Sequence, residues 1–433
     1  MTGPPSRRLV FRTAVRTAAA VAGMAAGALV TAGWPEPGQV GVVTRPAVAL
    51  ASWPDLASLA GGSWRSVPAP PSAALQEAAV AWTGRDLVLW GGYGPDGRLP
   101  AGGLRSGWAY QPVTGRWQEL PPAPVSTDGE AEAVWTGTDV VVAAPYGSQT
   151  GLAAWRPATG TWRRLPTPPG AGRSGWNYRL TWTGRQLLLY GYRPQTPAQA
   201  RVPFSQPRPF LAALTADGSR WETLAAPPAA ASHAVDQGFT AVWSGSRLLV
   251  FTQRMHVEKI AAGVTVTPGG SAVTSYDPLA NTWTTLDATG PAPPMDGTAF
   301  WTGQAALLVG GATCTMCLGG PAGVRYPLTG GLFSPAAGFW RALRPPAALN
   351  VRPETTAWAG VLVTVANADV GPGSGRPFAV AGAWDPGSGQ WVRLPDPPAG
   401  IQPMAYASTG VWTGREFLFP GGTGLVALVP EGR

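Results

Sequence analysis

The chain has 433 residues, of which 45% are hydrophobic, with 58 glycines, 47 prolines and 21 tryptophans. That apolar content excludes a disordered chain, and no run of basic residues interleaved with aromatics supports a nucleic-acid partner. The formal charge of +8 includes four arginines within residues 1–32, where no acid stands, so +4 remains on the rest.

The N-terminus reads as an export signal over residues 1–32. Arg7, Arg8, Arg12 and Arg16 precede a weakly apolar Ala/Gly/Val run, Thr17 to Ala32, which Pro35 breaks. Ser6-Arg7-Arg8-Leu9-Val10-Phe11 resembles a twin-arginine motif, with Val10 where that motif usually has Phe; a Sec signal is the alternative. Cleavage fits after Ala32 or after Ala51. The segment is short and poor in Leu and Ile for a bilayer span, so membrane contact is expected only through this segment, uncleaved, if at all. Residues 33–61 are rich in Pro, Ala, Gly and Val without periodicity and read as a flexible tether. The chain is expected to be exported, extracellular or associated with the cell envelope.

From Gly62 onward one unit recurs seven times. Its first tryptophan appears as Trp64, Trp117, Trp162, Trp221, Trp283, Trp340 and Trp391. Its second appears as Trp82, Trp135, Trp182, Trp243, Trp301, Trp358 and Trp412, each followed by Thr, Ser or Ala and then Gly. The two lie 18 to 22 residues apart in every copy, a fixed unit with variable insertions. Each unit reads as four short strands. Strand a ends on the second Trp, strand b is a dense aliphatic run such as Leu87 to Trp90, and a Thr-Gly turn joins them. Strand c carries an apolar residue seven positions before the next first Trp: Tyr110, Trp155, Leu214, Tyr276, Phe333 and Trp384. Strand d holds that Trp, then Leu or Val, then often proline. Aromatics at repeating positions read as core.

The ends settle the topology. After Trp412 come a strand b and a strand c (about 425–430), and the sequence stops where strand d should begin. An unmatched strand d stands at about 62–67, before the first complete unit. Joining the two closes a ring and removes two raw sheet edges. The expected fold is an all-β, seven-bladed β-propeller of four-stranded antiparallel blades over residues 62–433. Gly-Gly after strand b (Gly91-Gly92, Gly310-Gly311, Gly421-Gly422), an aromatic in strand c and Trp in strand d resemble the kelch β-propeller, including the superfamily of the galactose oxidase central domain. The second, third, fourth and sixth units lack the glycine pair.

Alternating strand directions put the a–b and c–d turns on one face and the b–c and d–a connections on the other. The b–c connections are long and unlike one another, so ligand binding is expected there. Within that face, the residue five before the second Trp is Glu77, Glu130, Asn177 or Asp296 in four units, and Arg179 is near. These could hold a hydroxylated ligand or hydrated cation, or be solvated strand starts. Cys314 and Cys317 read as a local disulfide in an exported chain, with a soft metal site as the alternative. His233 and His256 both fall in connections of the fourth blade on this face; they read as solvated loop residues, with a metal or acid–base site to which Glu258 adds a carboxylate as the alternative. The copper radical centre that the galactose oxidase resemblance raises needs two His, two Tyr and a Cys–Tyr link in one place. Here the His and Cys pairs lie in different blades, so no metal and no cofactor is expected. The functional expectation is a monomeric ligand-binding or protein-interaction scaffold, with extracellular carbohydrate or protein as ligand. The alternative is a carbohydrate-active enzyme (lyase, epimerase or sialidase-like) at the propeller mouth, signalled by paired carboxylates in a concave pocket.

Overall fold

The computed structural model describes residues 53–68, 70, 78–92, 105–127, 131–144, 151–169, 177–192, 208–228, 234–260, 263–295, 297–310, 328–351, 353–366, 380–398, 408–421 and 424–433. Seven antiparallel sheets form a closed seven-bladed β-propeller. In strand order a to d, blade 1 is Ala79–Trp82, Leu87–Trp90, Gly107–Gln111 and Arg116–Glu119. Blade 2 is Glu132–Trp135, Val140–Ala144, Gly151–Arg156 and Thr161–Arg164, and blade 3 is Asn177–Trp182, Leu187–Tyr192, Pro209–Leu214 and Trp221–Thr223. Blade 4 is Ala234–Trp243, Leu248–Ile260, Gly263–Asp277 and Thr282–Leu286. Blade 5 is Thr298–Trp301, Ala306–Val309, Gly330–Ser334 and Phe339–Ala342, and blade 6 is Thr355–Trp358, Leu362–Ala366, Val380–Trp384 and Trp391–Arg393. Blade 7 takes Ser63–Pro68 as its strand d, beside Gly424–Val429, Phe417–Gly421 and Val411–Trp412. Ser63 pairs with Val429 and Pro68 with Gly424, within a residue of the expected closure.

Outside the extended strand of blade 4, strand b is almost wholly apolar because both of its sides are buried. In blade 3, Leu187 and Leu189 pack toward blade 2, while Leu188 and Tyr190 pack toward blade 4. Period-2 geometry sends alternate side chains to opposite faces, and each face meets a neighbouring blade. Such an apolar cluster fills every blade–blade interface. At the closing one, Val67, Leu418 and Leu425 meet Trp82, Leu89 and Tyr110.

The turn motif has a local explanation. After the second Trp, the Thr or Ser hydroxyl accepts the amide three residues on: Thr83 from Asp86, Thr183 from Gln186 and Thr302 from Ala305, at 2.9–3.1 Å. The next residue sits at φ 88° to 98° in Gly84, Gly137, Gly184, Gly245, Gly303 and Gly414, a region only glycine enters without strain. Blade 6 departs from this. It reads Trp358-Ala359-Gly360-Val361, one residue shorter and without the hydroxyl. The side chain of Trp53 lies against that turn, so close that a Cβ on Gly360 would overlap its ring. Trp53 leads into a helix, Leu56–Ala60, capped by the Asp55 side chain on the Ser58 amide at 2.7 Å. Leu59 is fully buried in the cluster between blades 6 and 7, and the Glu431 amide donates to the Ser58 carbonyl at 2.8 Å. Residues 53–61, read from sequence as tether, therefore form this helix and its flanks.

The repeat tryptophans differ from the core expectation. Trp82 and Trp340 are buried, but the other twelve are half-buried. For five of the strand-d copies the reason is polar. Five strand-d indoles donate Nε1–H to a backbone carbonyl of the preceding blade: Trp64 to Pro395, Trp117 to Pro68, Trp162 to Pro121, Trp221 to Pro166 and Trp283 to Ala225, at 2.7–2.9 Å. Each acceptor stands four residues after its own strand-d Trp, and four of the five are proline. A tryptophan with an apolar body and a hydrogen-bonding edge suits such a rim. The other two copies break the rule. Asp287 and Arg344 occupy the acceptor position, and the Nε1 atoms of Trp340 and Trp391 are buried with no partner among the described residues. In six blades the strand-c residue seven positions earlier is the direct cross-strand neighbour of the Trp, as in Tyr110 opposite Trp117 and Tyr276 opposite Trp283, while Trp64 in the closing blade faces Leu428.

Two irregularities bear on the ligand face. In the last blade, Ser408–Thr409 pairs in parallel with Thr355–Thr356 of blade 6, while Val411–Trp412 stays with its own blade. Gly410 between them lies against Phe419, whose ring a Cβ would strike. In blade 4, the sequence reading placed a loop at Thr252 to Ala272. The structure instead continues both strands into a β-hairpin arm, with Met255 to Ile260 paired to Pro268 to Gly263 and Ala234 to Asp236 alongside.

Candidate functional site

Strand a is the innermost strand of each blade: neighbouring strands a approach one another, and strand d lies at the far edge. Each strand a starts at the b–c/d–a face and runs toward the Thr-Gly turns. Its first residues therefore surround the mouth of the ring on the face that also carries the blade-4 arm.

Three residues before the second Trp, the seven units place Ala79, Glu132, Arg179, Thr240, Thr298, Thr355 and Thr409. Glu132 and Arg179 are brought together from adjacent blades. Arg179 Nη1 donates to Glu132 Oε1 at 2.9 Å and to the Tyr178 carbonyl at 2.9 Å, and the two side chains are 8% and 11% exposed. Glu132 Oε2 accepts the Leu180 amide at 2.9 Å. That amide belongs to the inner edge of blade 3, so the carboxylate satisfies a donor that lies outside the blade's own ladder. The guanidinium carbon also stands 5.4 Å from the centre of the Phe239 ring in blade 4, within cation–π range. One ion pair thus links blades 2, 3 and 4 at the mouth.

The other half of the mouth carries hydroxyls. Thr240, Thr298, Thr355 and Thr409 are all buried. The hydroxyls of Thr240 and Thr409, and that of Thr356 beside them, have no hydrogen-bond partner among the described residues. Buried hydroxyls in that condition call for water or a ligand atom. Glu354, also buried, stands at the same end of blade 6.

Of the residues singled out from sequence, Glu77, Glu130, Asp296, His233, Cys314 and Cys317 lie outside the described residues. Asn177 begins strand a of blade 3, its backbone opposite Tyr192. His256 lies in the arm, opposite Ala234 on one side and Thr267 on the other. Arg179 lies in strand a of blade 3, three residues before Trp182, paired with Glu132, which the sequence reading did not name. The signal was present: aligning the copies on the second Trp and scanning three positions back, rather than five, sets Glu132 beside Arg179. Among the described residues no group of three or more His, Cys, Asp or Glu is placed to hold a metal ion. No described helix is long and apolar enough to cross a membrane.

The opposite face is chemically committed to the fold. Asp139, with a side chain 6% exposed, accepts from Arg156 at 2.7 Å and Arg163 at 3.2 Å. Glu416 holds Arg65 through two oxygens, with the Tyr110 hydroxyl 3.4 Å from the same guanidinium. Arg247 pairs with Asp277 at 2.9 Å. Each carboxylate sits on a turn or strand end and ties together strands of its own blade. No family model matches this chain, and a search of curated proteins finds no match either.

Proposed function

We propose that this propeller is an exported binding scaffold of the kelch type, with its ligand at the b–c/d–a face. The observation that carries the reading is the set of buried threonine hydroxyls at the mouth, Thr240, Thr356 and Thr409, which lack partners among the described residues. Hydroxyl groups that both donate and accept suit a hydroxylated ligand, and an extracellular carbohydrate is the leading class. Glu77, Glu130, Asn177 and Asp296 are proposed to accept hydrogen bonds from sugar hydroxyls at the same mouth. An acidic substituent would compete with Glu132 for Arg179.

Glycan-array binding of the secreted protein tests the reading, followed by titration with any glycan retained. Replacing Glu130 and Asp296 together by alanine is expected to abolish that binding with little change in melting temperature. Binding that survives this change but is lost on trimming the arm at 254–270 moves the site to the arm. Absence of any retained glycan overturns the carbohydrate assignment.

A further inference from the structure

Each blade ends on an outermost strand whose far edge has no ladder partner among the described residues, apart from the Thr289–Phe339 bridge at blade 5, and such edges pair with other strands unless guarded. Here six of the seven outermost strands carry charge. Arg65 stands in blade 7, Arg116 and Glu119 in blade 1, Arg163 and Arg164 in blade 2, and Glu222 in blade 3. Arg341 stands in blade 5 and Arg393 in blade 6. Blade 4 is the exception: Thr282-Trp283-Thr284-Thr285-Leu286 has no charged residue, and its three threonines are exposed.

Two further observations fall on the same blade. Strand c runs from Gly263 to Asp277, yet strand d covers only Val273 to Asp277. The remaining stretch, Gly263 to Ala272, also has an open outer edge and no charged residue, with Val264-Thr265-Val266-Thr267 favouring extended structure. At the c–d turn, Leu279 is 94% exposed, the most exposed large hydrophobic side chain among the described residues.

We propose that the outer edge of blade 4 pairs with the same edge of a second copy of this chain, making a dimer through one continuous eight-stranded sheet. The partner is chosen by arithmetic of edges. An uncharged edge is best met by another uncharged edge, and each ring offers one. Two-fold pairing then uses both and stops at two copies, since an isologous contact closes on itself. An antiparallel two-fold centred on Thr284 sets Thr284 opposite its own copy, Trp283 opposite Thr285, and Thr282 opposite Leu286. It also carries Leu279 past the end of the partner's strand, toward the open step beside the arm.

Sedimentation velocity of the full chain over a concentration series tests this directly. The expected result is a species of twice the chain mass that dissociates on dilution. Thr284→Lys sets like charges opposite each other and is expected to abolish it, whereas Thr284→Val is expected to keep it. Thr161→Lys, at an exposed position on the outer strand of blade 2, is the control and should leave the dimer intact. As a geometric check, Thr284→Cys should cross-link two chains on mild oxidation, since opposed residues bring Cα atoms within disulfide reach, and Thr161→Cys should not. A single-chain mass at all concentrations, or a dimer indifferent to Thr284→Lys, overturns the proposal. Glycan binding by the Thr284→Lys monomer would leave the ligand-face reading standing, so the two can fail separately.

Discussion

The belt of indole hydrogen bonds makes a prediction whose sign changes around the ring. Site-specific replacement of tryptophan by β-(3-benzothienyl)alanine keeps the bicyclic shape and removes only the N–H. At Trp162 the lost bond is the 2.7 Å contact to the Pro121 carbonyl, at a half-buried site that water can reach. A net loss of about 0.5–1.5 kcal/mol is expected there. At Trp340 the ring is 0% exposed and its Nε1 has no partner among the described residues. Removing an unpaired buried donor should relieve about 1–3 kcal/mol of desolvation, so this variant should be more stable than the parent. The most deeply buried repeat tryptophan would thus be the one improved by losing a polar atom. Urea unfolding at unchanged slope reads both effects as shifts of midpoint in opposite directions. A loss of stability at both sites would refute the reasoning, because it would mean that the Trp340 N–H is satisfied.

Three other outcomes follow from the structure. Deleting Leu425 to Arg433 should lower the melting temperature sharply, because Leu425, Val426 and Leu428 are fully buried and each contributes about 1.5–3 kcal/mol; unchanged melting would sink ring closure. Arg179→Met should cost about 3–5 kcal/mol by stranding the Glu132 carboxylate, and adding Glu132→Gln should recover part of it; equal loss in the single and double variants would show the pair to be uncoupled. The carboxyl of Asp217 accepts from the Thr215 and Ser219 hydroxyls and the Ser219 amide, which hold its pKa at about 2 against an ordinary 3.8. Its contribution to the blade-3 turn should therefore be complete above the ordinary 3.8, decline as pH falls below that, and be gone once pH is below about 2; a carboxyl NMR titration with its midpoint near the ordinary value would contradict this.

The propeller was legible because its grammar is local and repeated. The Trp-Thr-Gly turns, the aliphatic strand b and the aromatic opposite each strand-d Trp are each set by contacts within a blade or with the next one. What stayed hidden depends on distance or on context. The half-burial of the tryptophans could not be read from their periodicity, since core and rim positions recur equally well; the proline four residues on was the clue. The helix Leu56–Ala60 spans little more than one turn, too short for a 3.6-residue pattern to register. In the arm, Met255 to Glu258 and Val264 to Thr267 do alternate. However, the charges at Glu258 and Lys259 and the Pro268-Gly269-Gly270 break gave the segment the look of a loop. Glu132 and Arg179 are 47 residues apart in sequence and meet only because equivalent strands converge on one axis.

The short turn of blade 6, with Trp53 seated against Gly360, fixes where the N-terminal segment leaves the disc. Trp53 stands on the side of the Thr-Gly turns, the reverse of the side bearing the arm and the buried hydroxyls. An attachment made directly at Trp53 would hold the turn side toward its support and leave the mouth facing away from it. Orientation would then follow from the docking of Trp53 together with buried Leu59 and the bond from Glu431 to Ser58. A label on the Trp53 position itself would likewise sit on the side away from whatever the mouth holds.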